Sequence, residues 1–434
     1  MSELILNTIK EHKSGKPAGI YSVCSANRFV LEASMLHAKE YDNYLLIEAT
    51  SNQVDQFGGY TGLTPSMFRD MIKETAETVG YPFNKIVLGG DHLGPNVWQD
   101  EDSDIAMNKA EEQIREYVKA GFTKIHLDTS MACRDDRVNE ETHMLDPEII
   151  TERAARLCRA AEDVADKNNK PVYIIGTDVP IPGGSLEKPE NIRITKKEEV
   201  EETISLTKKA YSLLGLDDAW KRTIAVVVQP GVEFSDSSVV GYDRKKANEL
   251  ISKIKDYDNF VYEAHSTDFQ TKQALREMVV DHFCILKVGP WLTFALREAV
   301  FALSEIEEEI LTLKKNISIS NIRNTLESQM LMNPKYWKKH YEGTAGETAF
   351  SRKYSYSDRI RYYWTNNDVQ NSLIKLLNNL TQNIIPLSLL SQFLPDEYEA
   401  IMEGRISVNP ADLIHHKIQH VLNKYSYAVN GGRE

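Results

Sequence analysis

The residues best suited by type and spacing to do chemistry are two histidines set among acids. His92 follows Asp91 in the run IVLGGDHLGP, and His265 stands two residues after Glu263 in VYEAHSTDF. Two imidazoles and a carboxylate, with one coordination position left open, suit a borderline-soft divalent ion, Zn2+ first among them. Asp178, in IIGTDVP, is the expected third ligand. Asp128 lies two residues beyond His126 in KIHLDTS. Residues two apart in an extended chain face the same way, so Asp128 is read as a further ligand or as the group that orients one. Glu48, followed by the polar loop Ser51, Asn52 and Gln53, joins Asp91 and Asp128 as a candidate catalytic carboxylate, and the loop is read as substrate-binding.

A second kind of chemistry is anion binding. Ser266, directly after His265, and Lys287 and Gly289, just ahead of a helical segment beginning at Trp291, offer a hydroxyl, a cation and a backbone N–H at a helix start. Such a set can cradle a phosphate. Arg359 and Arg361 sit among Tyr354, Tyr356, Tyr362, Tyr363 and Trp364 in a chain that is otherwise acidic. They are read either as a packing interface or as a bidentate clamp on a distal phosphate. His12, His37, His143, His282, His340, His415, His416 and His420 fall on helical or loop sequence and are read as structural.

These residues share a position: each of the first group lies at the end of a short apolar run. Eight such runs occur, at Gly19–Ala26, Tyr44–Thr50, Lys85–His92, Lys124–Ser130, Pro171–Asp178, Ile224–Pro230, Phe260–Thr267 and Ile285–Pro290, each followed by a loop and then by helical apolar spacing. Eight βα units predict a closed (β/α)8 TIM barrel, whose chemistry belongs at the C-terminal ends of its strands. Most runs are continuously apolar, as expected for strands covered on both faces. No G-x-G-x-x-G follows the first run, so a dinucleotide-binding open sheet loses its main support. The barrel is placed at residues 1–314 and a helical C-terminal extension at 315–434, where charge runs such as EIEEEILTLKK give way to long helical spacing.

The 434 residues carry a formal net charge of -13, with 41% hydrophobic and 26% charged residues. A core of ample size is expected, and the acidic average disfavours nucleic acid or an anionic membrane as partner. The four widely spaced cysteines suit a reducing compartment, no apolar run approaches a membrane span, and the N-terminus lacks a signal-peptide core; a cytoplasmic protein is expected.

At SVCSAN, LIEATSNQVDQFGGYTG, GGDHLGPNVWQ, AGFTKIHLDTSM, VVVQPGVEF, VYEAHSTDFQT, HFCILKVGPWLTFALREA and SDRIRYYW the sequence resembles the GatZ/KbaZ family of D-tagatose-1,6-bisphosphate aldolase subunits. The resemblance implies a TIM-barrel relative of class II aldolases acting in ketohexose phosphate metabolism beside a catalytic aldolase partner subunit; a homo-oligomer is also expected. More distantly, the order of motifs resembles that of class II aldolases themselves, and that likeness implies that Asp91 is the general acid/base, that His92 and His265 bind metal, and that Ser266 and Gly289 bind phosphate. The pattern departs at Asp178, where class II aldolases place a histidine and this family is expected to place glutamate. Some family relatives resemble C4 epimerases of fructose, tagatose or their phosphates. Three readings therefore stand: an aldolase component, a stand-alone C4 epimerase sharing the retro-aldol mechanism, and a non-catalytic stabilising subunit. A sugar kinase is not among them, because no phosphate-binding G-x-x-x-x-G-K-[ST] loop occurs.

Overall fold

The computed structural model describes residues 2–140, 144–177, 179, 192–312, 314 and 317–432. Among these residues ten strands occur in chain order: β1 (Ile20–Val23), β2 (Leu45–Thr50), β3 (Ile86–Leu93), β4 (Lys124–Leu127), β5 (Val172–Ile175), β6 (Thr223–Val228), β7 (Glu233–Phe234), β8 (Val239–Val240), β9 (Val261–Ala264) and β10 (Phe283–Val288). Strands β7 and β8 form a small antiparallel ribbon, and the other eight close a barrel in the order β1-β10-β9-β6-β5-β4-β3-β2. All of its pairings are parallel, as a chain of βα units requires. The fold is the (β/α)8 barrel that the eight apolar runs predict.

Several strands stop short of the predicted runs. Strand β1 ends at Val23 and β9 at Ala264, so that Cys24–Ala26 and His265–Thr267 leave the ladder. The physical reason is local: Ser266 adopts a left-handed conformation (φ 53°), which a strand cannot continue. Strand β3 runs on to Leu93, but its pairing with β4 shifts register between Gly90 and Leu93, and His92 at the break is also left-handed (φ 49°).

The lower barrel interior is apolar. Leu46, Val87, Val172, Ile224, Val261 and Ile285 form one cluster with Ile5 and Ile9 of the N-terminal helix Ser2–Lys13, which thereby plugs that end of the barrel. The helices outside bury their apolar stripes on the strands' outer faces, and the same core continues without a break into the C-terminal segment through Leu292, Ile418 and Tyr425. The last helix, Pro410–Val429, packs against the barrel helices Arg28–Glu40, Lys272–Val280 and Pro290–Leu311. Its Tyr425 hydroxyl donates to Thr267 O at 2.8 Å, which ties the extension to the turn after β9. A short helical turn, Arg359–Tyr362, brings the aromatic patch over the barrel mouth. Among the described residues no helix is long and apolar enough to cross a membrane.

Candidate active site

Above the apolar plug the barrel interior turns ionic. Register places Glu48 of β2 level with Gly89 of β3, and Gly89 level with Lys124 of β4. A Cβ on Gly89 would lie 2.7 Å from Glu48 Cγ, so only glycine leaves room for the two long side chains. Lys124 Nζ sits 2.7 Å from Glu48 Oε1 and 2.5 Å from Glu263 Oε2. Lys287 Nζ pairs with Glu48, with Asp91 Oδ1 at 2.8 Å and with Glu263 Oε1 at 3.5 Å. All five groups are buried. Two lysines thus neutralise most of the charge of three carboxylates in a place where an unpaired ion would be very costly.

One layer higher stand three imidazoles. The ring centroids of His92, His126 and His265 are 4.7–5.2 Å apart. Each ring is held by an acid: His92 Nδ1 is 2.7 Å from Asp128 Oδ2, His126 Nδ1 is 3.0 Å from Asp91 Oδ1, and His265 Nε2 is 3.0 Å from Glu263 Oε1. Asp91, His92, His126 and His265 each direct one potential ligand atom into a group whose members lie within 4.8 Å of one another. His126 Nε2 is buried and has no hydrogen-bond partner among the described residues. Converging imidazole nitrogens, with Asp128 behind His92 and Glu263 against His265, form a donor set that fits a divalent transition metal. The left-handed His92 and Ser266 belong to the same constellation. A non-glycine residue held there costs on the order of 1 kcal/mol, a strain typical of sites where geometry serves chemistry.

The electrostatics are set by these contacts. Burial alone would raise the Asp91 carboxyl, but Lys287, His92 and His126 beside it hold it well below the usual carboxylate range. Asp128 is likewise buried, and the His92 bond and charge keep it low. His92 is raised, because Asp91 and Asp128 outweigh burial. His265 is pushed down to about 3 by burial, against the opposing pull of Glu263, so it is neutral as a ligand must be.

The mouth opens into a cleft above this layer. Asp91, His92, His265 and Lys287 form its floor, Asn52, Gln53, Tyr60, Ser266 and Gly289 line its sides, and Arg361 and Tyr362 reach it from the extension. Several residues singled out in the sequence lie outside this cleft or spend their polar groups on other partners. Glu48 is in the ionic layer below the floor, and Asp128 stands behind His92. Ser51 is buried with its hydroxyl on Asn96 Oδ1 at 3.1 Å, away from the cleft. Gln53 spends its amide on the backbone, donating to Cys24 O at 3.3 Å and accepting from Thr50 N at 3.1 Å. The Gly289 amide, with that of Trp291, donates to Asp268 Oδ1 at 3.0 and 2.8 Å, so the helix start expected to meet a phosphate is capped by a carboxylate. Burial, against these two bonds, pushes Asp268 up to about 6. Arg359 is buried with its guanidinium 2.9 Å from His340 Nδ1, whereas Arg361 hydrogen-bonds Tyr362 Oη at 3.0 Å and lines the cleft. Asp178 lies outside the described residues.

Sequence reasoning left out Lys124 and Glu263 and gave His126 only a minor part. The signal was the two-residue alternation: Lys124, His126 and Asp128 are spaced by two, as are Glu263 and His265. Along a barrel strand such a series climbs the interior wall.

A family profile described as "D-tagatose-1,6-bisphosphate aldolase subunit GatZ/KbaZ-like" matches residues 5–430. The crystal structure of a probable tagatose 6 phosphate kinase from Sinorhizobium meliloti 1021 superposes with a TM-score of 0.86 at 42% identity, covering 94% of this chain and 100% of that one. A glycerol-complexed fructuronate-tagaturonate epimerase UxaE from Cohnella laeviribosi shares the fold, with a TM-score of 0.50 at 12% identity over 95% of this chain and 81% of its own. The chain therefore belongs to the GatZ/KbaZ-like family of D-tagatose-1,6-bisphosphate aldolase subunits.

Proposed function

We propose that this protein is a metal-dependent D-tagatose-1,6-bisphosphate aldolase subunit that makes and breaks the C3–C4 bond of a ketohexose phosphate. The observation that carries this reading is the convergence of His92, His126, His265 and Asp91 on the floor of a cleft edged by a cation from outside the barrel. His92, His126 and His265 would hold the ion, with Zn2+ the best match to imidazole donors, and when bound it supplies Lewis-acid polarisation of the substrate's C2 carbonyl. Asp128 fixes the His92 ring through Nδ1, leaving Nε2 free for the cleft. The Asp91 carboxylate accepts the C4 hydroxyl proton as the C4 carbonyl forms and the C3–C4 bond breaks, its electron pair passing to C3 and the adjoining carbonyl. Lys287 steadies the Asp91 charge from below.

A second reading, C4 epimerisation, is favoured by the overhang of Arg361 and Tyr362. A covered cleft can retain the aldehyde fragment until it turns and presents its opposite face. Purified, zinc-loaded protein incubated alone with tagatose 1,6-bisphosphate, fructose 6-phosphate and fructose separates the two: triose products select the aldolase, a C4 epimer the epimerase. No conversion of any of the three rejects both for the isolated chain.

Metal content tests the floor directly. His92→Ala and His265→Ala should each lose about one equivalent of zinc relative to wild type, because a site with two remaining imidazoles binds far more weakly. Unchanged zinc in both variants would remove these residues from the ligand set.

The two arginines should part company. Arg361→Ala is expected to raise KM for a phosphorylated ketose by about 10- to 100-fold, the worth of a charge-assisted hydrogen bond, with a much smaller change for the free sugar. Arg359→Ala should instead lower stability and leave the ratio of the two KM values alone, since Arg359 is buried against His340. Equal losses on both sugars in Arg361→Ala would assign it to packing.

A further inference from the structure

A second cluster of ligand atoms lies in the C-terminal extension, away from the barrel mouth. His416 and His420 stand four apart on the helix Pro410–Val429 and so share one face, and Glu397 meets them from the helix Pro395–Met402. We propose that these three residues form a structural site for a divalent transition metal, zinc by donor type, that staples the two helices together.

The distances carry the argument. His416 Nδ1 is 3.1 Å from Glu397 Oε1 and 3.1 Å from His420 Nε2, and the third side of the triangle, His420 Nε2 to Glu397 Oε1, is 3.8 Å. Zinc with ligands at roughly 2.0–2.1 Å in a tetrahedron separates them by about 3.3 Å, close to the mean of these three edges. Hydrogen bonding alone satisfies the triangle poorly. The proton on His416 Nδ1 would have to serve a carboxylate oxygen and a second imidazole nitrogen at once. The two rings stand at 74° to one another with centroids 4.5 Å apart, directing edge nitrogens to a common point.

Glu397 gives a second, independent indication. It is completely buried, yet its Oε2 has no hydrogen-bond partner among the described residues. A buried carboxylate with one oxygen unpaired is costly unless a cation faces it. Asp396 Oδ2, 3.7 Å from His420 Nδ1, stands behind the outer ring as the orienting acid common to histidine–metal sites. Arg405 approaches His416 Nε2 at 3.3 Å, but its side chain is half-exposed and already paired with Glu403, so it can swing aside when that nitrogen carries the proton.

Such a staple has a structural consequence at the barrel. The same helix carries Tyr425, whose hydroxyl bonds Thr267 beside the His265–Ser266 turn. Fixing the helix at His416 and His420 steadies that turn from outside.

The test uses full-length protein stripped with chelator and reloaded with Zn2+, read by elemental analysis and by Tm. Wild type should bind about one equivalent more than His420→Asn, a substitution at a partly exposed ring that the fold tolerates, and Glu397→Gln should show the same loss. Zinc should raise the Tm of His92→Ala, whose barrel site is damaged, but not that of the double variant His92→Ala/His420→Asn, which lacks both sites. Wild-type zinc content in both His420→Asn and Glu397→Gln would overturn the proposal, as would a zinc-dependent Tm shift that persists in His420→Asn and disappears in His92→Ala.

Discussion

Asp91→Asn should lower turnover by about a thousandfold while leaving metal content, fold and substrate affinity close to wild type. The amide keeps the shape and can still meet Lys287 and His126, but it cannot take up the C4 hydroxyl proton, and positioned proton transfer is worth about 10²–10⁴ in rate. Among the described residues the neighbouring acids are engaged elsewhere, Asp268 in accepting the Gly289 and Trp291 amides. Glu48 and Glu263 lie below the floor with their oxygens committed to Lys124 and Lys287, and Asp128 is behind His92. The comparison with His92→Ala makes the experiment specific, since that variant should lose activity and metal together. A rate within tenfold of wild type on the preferred substrate, in protein with unaltered zinc, would remove Asp91 from the mechanism.

The barrel was legible in the sequence because its signal is repeated. Eight apolar runs, each followed by a helix, leave few ways to close a parallel sheet, and every predicted run overlaps a barrel strand. Position at a strand end likewise picked out Asp91, His92, His265, Lys287 and Asp128. What the runs do not encode is height along the barrel axis. Glu48 looked like a mouth residue because it is polar and near a strand's end, yet register sets it level with Lys124, at the ionic layer. Lys124 opens its strand level with Gly89 and Val172, and its ammonium lies inside the barrel between Glu48 and Glu263.

The anion cradle illustrates a different limit. A serine, a lysine and a glycine before a helix form a sound phosphate pattern, but Lys287 is shared among three carboxylates and Asp268 takes the Gly289 amide. Both engagements depend on groups brought together by the closed sheet, which no local window contains. Arg361 became distinguishable from Arg359, two residues away, only once the short turn at Arg359–Tyr362 set one guanidinium facing the cleft and the other facing His340.

Lys124→Met should cost about 3–5 kcal/mol of folding stability, the penalty typical of removing one partner from a buried ion pair. Methionine fills nearly the same volume, so the loss is electrostatic: Glu48 keeps Lys287, but Glu263 is left with that shared lysine at 3.5 Å and a largely neutral His265. The pH dependence follows from the same contacts. In wild type, Lys124 and Lys287 overcome burial and hold Glu263 well below its ordinary value. A depressed carboxylate contributes stability above its unfolded value that is lost as pH falls through the folded one. Without Lys124, burial should raise Glu263 instead, and a raised carboxyl loses stability as pH rises. The gap between wild type and variant, measured by urea unfolding, should therefore widen from pH 5 to pH 8. Replacing the second partner as well, in Lys124→Met/Glu263→Gln, should recover part of the loss and flatten that widening. A single variant as stable as wild type at both pH values would mean that the ionic layer contributes nothing to holding the barrel floor in place.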